Sequence, residues 1–311
     1  MLEAIVTEGL TRSYGKILAL NDLNLKVESG HSVGFLGPNG AGKSTTIKIL
    51  CNLIRPTKGK AFINGHDAVA ESIEALRNVG ALVETPEFYS YLTPVETLSY
   101  LGRLRGISDL DLKQRIKQVL EVVKLSEWTN TKIGKFSRGM KQRLGIAQAV
   151  LHDPPILILD EPALGLDPRG TFEIREIIKS MVKEGKTVFL ASHMLHEVQE
   201  TCDKVALLDR GKLLAYDSIG NLEVIFKARR IHVDLLQPAD SKLIDMISKL
   251  KNVRGVAVEG KRLTISFDGG EGEQAQLLGM LVRDMSVPVV SFRLSLEALE
   301  EVYLQLIKVG D

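Results

Sequence analysis

The stretch Gly37-Pro38-Asn39-Gly40-Ala41-Gly42-Lys43-Ser44-Thr45 has the spacing GxxxxGK[ST], in which glycines let backbone N–H groups face phosphates and a lysine closes the cradle. That chemistry is capture of a nucleoside triphosphate. Lys43 is expected to reach the β- and γ-phosphates, Ser44 to offer its hydroxyl to Mg²⁺, and Thr45 to lie near the α-phosphate. A second set follows in Ile156-Leu-Ile-Leu-Asp160-Glu161, an apolar run that ends in two acids. Asp160 is expected in the Mg²⁺ shell, and Glu161 as the group that polarises a water for attack on the γ-phosphorus. His193, after the apolar run Val188–Ala191 and Ser192, is expected to hydrogen-bond the γ-phosphate.

These residues need a scaffold that brings strand ends to one edge. Ser32–Leu36 reads as a buried strand before the glycine-rich loop, and Ser44–Leu53 as the helix after it. The helix start adds its own unpaired N–H donors and partial positive charge. Short apolar runs at Ile156–Leu159, Val188–Ala191 and Val205–Leu208 alternate with helical stretches at Phe172–Lys183 and Leu195–Cys202, which implies a mostly parallel sheet in an α/β fold. Ligands favour the carboxyl edge of such a sheet. Residues 4–36 alternate short β-type runs with turns, and Ala61–Gly65 continues them, so an antiparallel β subdomain is expected. From Thr93 to Leu125 the spacing turns helical, giving a helical subdomain over about residues 86–152.

After Gly220 these motifs stop. The rest reads as strand, helix, strand, strand, helix, strand over Arg230–Leu236, Ser241–Leu250, Arg254–Glu259, Arg262–Phe267, Gln274–Asp284 and Val287–Arg293, with a last helix over Leu296–Lys308. That order is a ferredoxin-like βαββαβ unit. The domains are therefore set at 1–218 and 219–311, the second being a small α+β accessory domain.

Composition narrows the partners. The chain has 311 residues, 44% of them hydrophobic and 25% charged, with a net charge of +1. From Ile219 onward 12 Lys and Arg face 13 Asp and Glu, so no nucleic-acid partner is expected. Cys51 and Cys202 lack CxxC spacing and read as core thiols of a reducing cytoplasm. Neither a secretory leader nor an apolar run of about 18 residues is expected to place the chain outside the cytoplasm or across a bilayer.

Phe136-Ser137-Arg138-Gly139-Met140-Lys141-Gln142-Arg143 precedes the helical run Leu144–Leu151, which sets Ser137 and Gly139 at a second helix start. One triphosphate seldom needs two such ends, unless the second serves a neighbouring molecule. In this order the motifs resemble the ATP-binding cassette of ABC transporters, over about residues 3–217. By that resemblance Ser137 and Gly139 belong to the signature segment, Ala163–Asp167 to the D-loop with Asp167 its site residue, His193 is the switch histidine, and Tyr14 stacks on adenine. The resemblance implies ATP and Mg²⁺ as cofactors, and a head-to-tail homodimer or cassette heterodimer. Lys43 and Glu161 of one cassette then face Ser137 and Gly139 of the other across one ATP.

Two departures from the family pattern stand out. Glu84 takes the place of the usual Gln, and is a further candidate metal ligand that adds negative charge. Arg138 replaces the first signature glycine and Met140 the usual Gln, leaving Arg138 to meet phosphate or solvent. Both departures resemble bacterial antibiotic-resistance and peptide-efflux cassettes, as do Glu84–Thr93 and the ending Ser295–Tyr303. The function expected is an ATPase subunit on the cytoplasmic face that drives export through a separate membrane permease. The alternatives are a soluble ABC-type ATPase that remodels a ribosome or DNA complex, and a nucleotide sensor that barely turns over.

Overall fold

A computed structural model of the chain describes residues 3–225 and 230–294. The backbone divides into two compact units, Met1–Tyr216 and Asp217–Asp311. The first begins with β1 (Glu3–Tyr14) and β2 (Ile17–Glu28), then β3 (Ser32–Leu36), α1 (Lys43–Leu50), β4 (Lys58–Ile63), β5 (His66–Asp67), α2 (Ser72–Arg77) and β6 (Val79–Leu82). Three helices follow, α3 (Pro94–Leu104), α4 (Asp109–Val122) and α5 (Arg138–Val150). The chain then returns through β7 (Ile156–Asp160), α6 (Pro168–Lys183), β8 (Thr187–Ser192), α7 (Leu195–Thr201), β9 (Lys204–Asp209) and β10 (Lys212–Ser218).

Among the described residues, β10-β9-β3-β8-β7-β6 form one sheet and β2-β1-β4-β5 another. The pairs β3–β8, β3–β9, β7–β8 and β6–β7 are parallel, whereas β1 pairs antiparallel with β2 and β4. Every residue of β3, β7 and β8 is buried, as expected of parallel strands covered on both faces, which explains their largely apolar sequence. Parallel direction also sends the ends of β3, β7 and β8 to one edge, so the glycine-rich loop, Glu161 and His193 emerge together.

In the β subdomain β1 and β2 each run for 12 residues rather than as short runs, because register shifts along the β1–β2 pair absorb the turn-like residues within them. Helix starts also differ from the sequence expectation. α5 begins at Arg138, a turn and a half before Leu144, and α6 at Pro168 rather than Phe172. In both cases the first turn is polar, so apolar periodicity missed it. The signals present were capping residues, Ser137 accepting from Met140 N–H and Asp167 accepting from Gly170 N–H ahead of Pro168. α1 ends at Leu50, short of Leu53. Both cysteines are free thiols, and burial pushes Cys51 up to about 12 and Cys202 higher still.

The second unit opens with α8 (Ile219–Ile225), then β11 (Arg230–Leu235), α9 (Ser241–Ser248), β12 (Val253–Glu259), β13 (Arg262–Phe267), α10 (Glu271–Gly279) and β14 (Val289–Leu294). α8 was not foreseen in the sequence. Its sheet runs β12-β13-β11-β14 with antiparallel neighbours throughout, the strand order of a βαββαβ unit. Alternate residues Ile231, Val233 and Leu235 of β11 and Leu263, Ile265 and Phe267 of β13 form its core with Ile247 and Leu277. Expectations for Leu296–Lys308 and Ser295–Tyr303 lie outside the described residues.

Candidate nucleotide-binding site

α1 starts differently from the four helices α3 to α6. Its N-cap is Gly42, at φ 106°, with no side chain bonded to the first-turn N–H groups. By contrast α3, α4, α5 and α6 are capped by Thr93, Ser108, Ser137 and Asp167. An uncapped helix start keeps its donors for a ligand. Only glycine fits at 42: the left-handed backbone disfavours a side chain, and a methyl group there would lie 2.6 Å from Ala19 O and 2.6 Å from Leu20 Cδ2.

That start opens on a cleft of about 490 Å³ lined by Asn39, Gly40, Gly42, Lys43, Ser44, Thr45, Glu161, Leu164 and His193, with Ile17, Leu18 and Ala19 as the apolar side. Lys43 is only 5% exposed. Its ammonium donates to Gly37 O at 2.7 Å and Pro38 O at 3.1 Å, and lies 3.6 Å from Glu161 Oε1. Glu161 Oε2 is 2.8 Å from His193 Nδ1, and its backbone, at φ 47°, is fixed by donation from its N–H to Ala191 O. Lysine, acid and imidazole thus form one contiguous set before any nucleotide arrives.

Asp160 lies just beneath, 4% exposed. Burial raises its carboxyl above the ordinary range, an effect opposed by the Ser44 hydrogen bond, reinforced by the Glu161 charge and opposed again by Lys43 and Lys48. Its Oδ1 is buried without a hydrogen-bond partner, which is costly unless something cationic or protic meets it. A carboxylate and a hydroxyl are hard oxygen donors of the kind a small divalent cation prefers. Glu84, the other candidate metal ligand, is occupied elsewhere: its Oε1 pairs with Lys48 Nζ at 2.5 Å. Lys48 sits one turn beyond Ser44 on α1, so the extra negative charge at position 84 is locally neutralised.

Behind His193, the Ser192 hydroxyl donates to Glu197 Oε2 at 2.9 Å and accepts from Met194 N–H at 2.9 Å. Glu197 is 5% exposed, and burial raises its carboxyl despite the Ser192 bond. Glu197 and the wall Ile17–Ala19 are not among the residues the sequence singles out, whereas Leu164 falls within the expected D-loop segment Ala163–Asp167. A Ser-His followed four residues later by Glu on a helix was the available sign of the first; nothing local marks the wall.

Several expected site residues stand outside the cleft lining. Tyr14 ends β1, 43% exposed, with the Arg12 guanidinium 4.6 Å from its ring centre. Asp167 caps α6 through its Oδ1. Ser137 caps α5, accepting from Met140 N–H at 3.2 Å, and the tip it forms with Arg138 is exposed. A methyl group on Gly139 would meet Leu166 Cδ2 at 3.9 Å, an ordinary contact, so the subunit itself has no steric need for glycine there.

Fold and site together define a P-loop nucleotide-binding cassette. The family described as ABC transporter matches residues 20–164. A bacitracin transport ATP-binding protein from Bacillus licheniformis is 38% identical over all 311 residues, 100% of this chain and 99% of that protein. Among solved structures, an ATP-binding subunit of an ABC transporter is 31% identical over 72% of this chain and 93% of its own, with a TM-score of 0.65. A dimeric ATP-binding cassette in a post-hydrolysis state, bound to ADP and Pi, is 25% identical over 69% of this chain and 98% of its own, with a TM-score of 0.62. The chain belongs to the ABC transporter ATP-binding family; it is an ATP-binding subunit and an ATPase. No helix among the described residues is long and apolar enough to cross a membrane.

Proposed function

We propose that two cassettes pair head to tail, each closing its α5 tip over ATP held in the other's cleft, and that the cycle drives export through a separate membrane permease from its cytoplasmic face. One observation carries this reading. Within a single chain, Lys43, Glu161 and His193 converge on the cleft, while the α5 tip, exposed at Ser137 and Arg138 and half-buried at Gly139, lines no part of it. A tip with a free hydroxyl proton and open space at Gly139 suits a phosphate brought by another copy. The dimeric relative with ADP and Pi supports such pairing.

ATP entering the cleft would place its phosphates over the uncapped α1 start, with Gly37–Thr45 as the cradle. Lys43 would leave the carbonyls of Gly37 and Pro38 for the β- and γ-phosphates, releasing Glu161 from its 3.6 Å contact. Glu161 then takes a proton from water as the oxygen attacks the γ-phosphorus, and the bond to the ADP oxygen breaks, giving ADP and phosphate. His193, held by Glu161 and backed by Ser192, donates to the γ-phosphate. Ser44 and Asp160 would hold Mg²⁺, with Glu84 a third ligand once it left Lys48, and the ion would supply positive charge against the developing charge of the phosphates. Tyr14 stacks on adenine beside the apolar wall of Ile17 and Leu18, and Asp167 positions the turn between cleft and α6.

A chain of this family works on a membrane partner, and that partner would supply the pathway. The name of the Bacillus licheniformis relative, a bacitracin transport ATP-binding protein, supports a bacitracin-type antibiotic as cargo; export is the direction implied by the family resemblance. The decisive test is Glu161→Gln. Steady-state ATP hydrolysis should fall about 10²–10⁴-fold, while light scattering should show a dimer that forms with ATP and magnesium. Unchanged hydrolysis would refute Glu161 as the base, and a strictly monomeric variant would refute the pairing.

A further inference from the structure

Arg138 is the charged signature departure, and the paired-cassette reading gives it no task. It is the first residue of α5, where a cation meets the partial positive charge of the helix start, an unfavourable place. Its guanidinium does not simply extend into water. It lies against Gly165, in the turn Ala163–Asp167 of the same chain: a methyl group built on Gly165 would sit 2.5 Å from Nη1, 2.7 Å from Cζ and 2.9 Å from Nη2 of Arg138. Gly165 has φ 70°, so both the bare Cα surface and the left-handed turn that presents it depend on glycine. One residue along on each side, Gly139 faces Leu166, so tip and turn meet at two successive positions.

The turn in question hangs from Glu161. Leu164 N–H donates to Glu161 O at 3.1 Å and Leu166 N–H to Ala163 O at 3.2 Å, and Leu164 itself lines the cleft. A continuous set of contacts therefore runs from the α5 tip through Arg138 and Gly165 to the base in the same subunit's cleft. We propose that Arg138 is a positioning residue that locks the α5 tip to the Glu161 turn, so that a tip engaging nucleotide on the opposing subunit sets Glu161 in its own cleft and couples the two sites of the pair. This rests on the head-to-tail reading. A planar guanidinium suits the task because it lies flat on an exposed peptide surface, which an ammonium does not.

The test uses the full-length chain and reads the Hill coefficient and kcat of ATP hydrolysis in wild type, Arg138→Ala, Arg138→Lys, Gly165→Ala and the Arg138→Ala/Gly165→Ala double variant. The wild type should be cooperative, with the second ATP bound at least about fivefold more tightly than the first. Each single variant should bring the Hill coefficient close to one, Lys no better than Ala, and the double variant should lose nothing more, because a methyl group at 165 already displaces the guanidinium. In a Glu161→Gln background Arg138→Ala should still pair with ATP, since Ser137 and Gly139 remain. A wild-type Hill coefficient of one, additive losses in the double variant, or a fall in kcat that Lys restores at unchanged cooperativity would overturn the proposal; the last would assign Arg138 to the partner's phosphate. If Glu161→Gln alone fails to pair with ATP, the head-to-tail reading fails instead.

Discussion

The starts of α1 and α5 are both read as phosphate-binding ends, yet they are made in opposite ways. α1 is uncapped, and its Lys43 is buried against carbonyls and the Glu161 carboxylate. α5 is capped by its own Ser137 and stands exposed. An uncapped start leaves orphan donors that only a ligand relieves, whereas a capped one is content alone. The contrast fits a division in which one end binds nucleotide within the subunit and the other waits for a second subunit.

Removing the charge from the first end should produce the largest effect. Lys43→Ala takes away the cation that phosphates would meet, and leaves Glu161 without its neutralising neighbour. We expect kcat/KM for ATP to fall about 10²–10³-fold, read from initial rates over a range of ATP concentrations. Activity within a few fold of wild type would break the comparison at its stronger side, since the cation at the α1 start would then be dispensable.

Gly139→Asp tests the other end with two readouts that move in opposite directions. An acid in the first turn favours a helix start by about 0.3–1 kcal/mol, and Gly139 has room for a side chain, so melting temperature should hold or rise. The same charge would confront the opposing subunit's triphosphate, so ATP-driven pairing in a Glu161→Gln background should weaken at least about tenfold. Lowered stability with unchanged pairing would mean that the tip is ordinary helix surface.

The two ends also differ in how openly the sequence announces them. β3 was legible to the residue because a strand buried on both faces is a largely apolar run bounded by polar turns. The cradle was legible because its chemistry is local in sequence. α5 and α6 were read late, since their opening turns are polar and only the caps Ser137 and Asp167 mark them. Pairings across the fold left no trace: Lys48 with Glu84, Arg138 with Gly165, and the wall Ile17–Ala19 depend on which strand ends share an edge. Glu84 shows the limit well, being read as added charge near phosphate when its neutralising partner lay 36 residues away. The βαββαβ order of the second unit was recoverable because β11 and β13 alternate strictly between core and surface, a period that survives without knowledge of neighbours.

The smallest effect expected concerns stability alone, and it separates the cleft edge from the tip by pH. Glu197 lies under Ser192, with the Glu161 charge also raising its carboxyl while His193 and Arg175 oppose, and burial dominates. A carboxyl whose folded value is raised favours folding most when protonated. That contribution is full below the ordinary glutamate range and is lost as pH rises through the raised folded value. Glu197→Gln keeps an acceptor for the Ser192 hydroxyl and removes the ionisation, so its melting temperature should exceed wild type at pH 8 and converge with it near pH 4. Ser137→Ala, which costs a cap worth about 1 kcal/mol, should instead lower the melting temperature equally at both pH values. A pH-independent Glu197→Gln, or one less stable than wild type at pH 8, would mean that the buried acid is held ionised by Arg175 and His193. The charge stored behind the cleft would then be a structural ion pair, and the edge would lose the feature that most distinguishes it from the self-sufficient tip of α5.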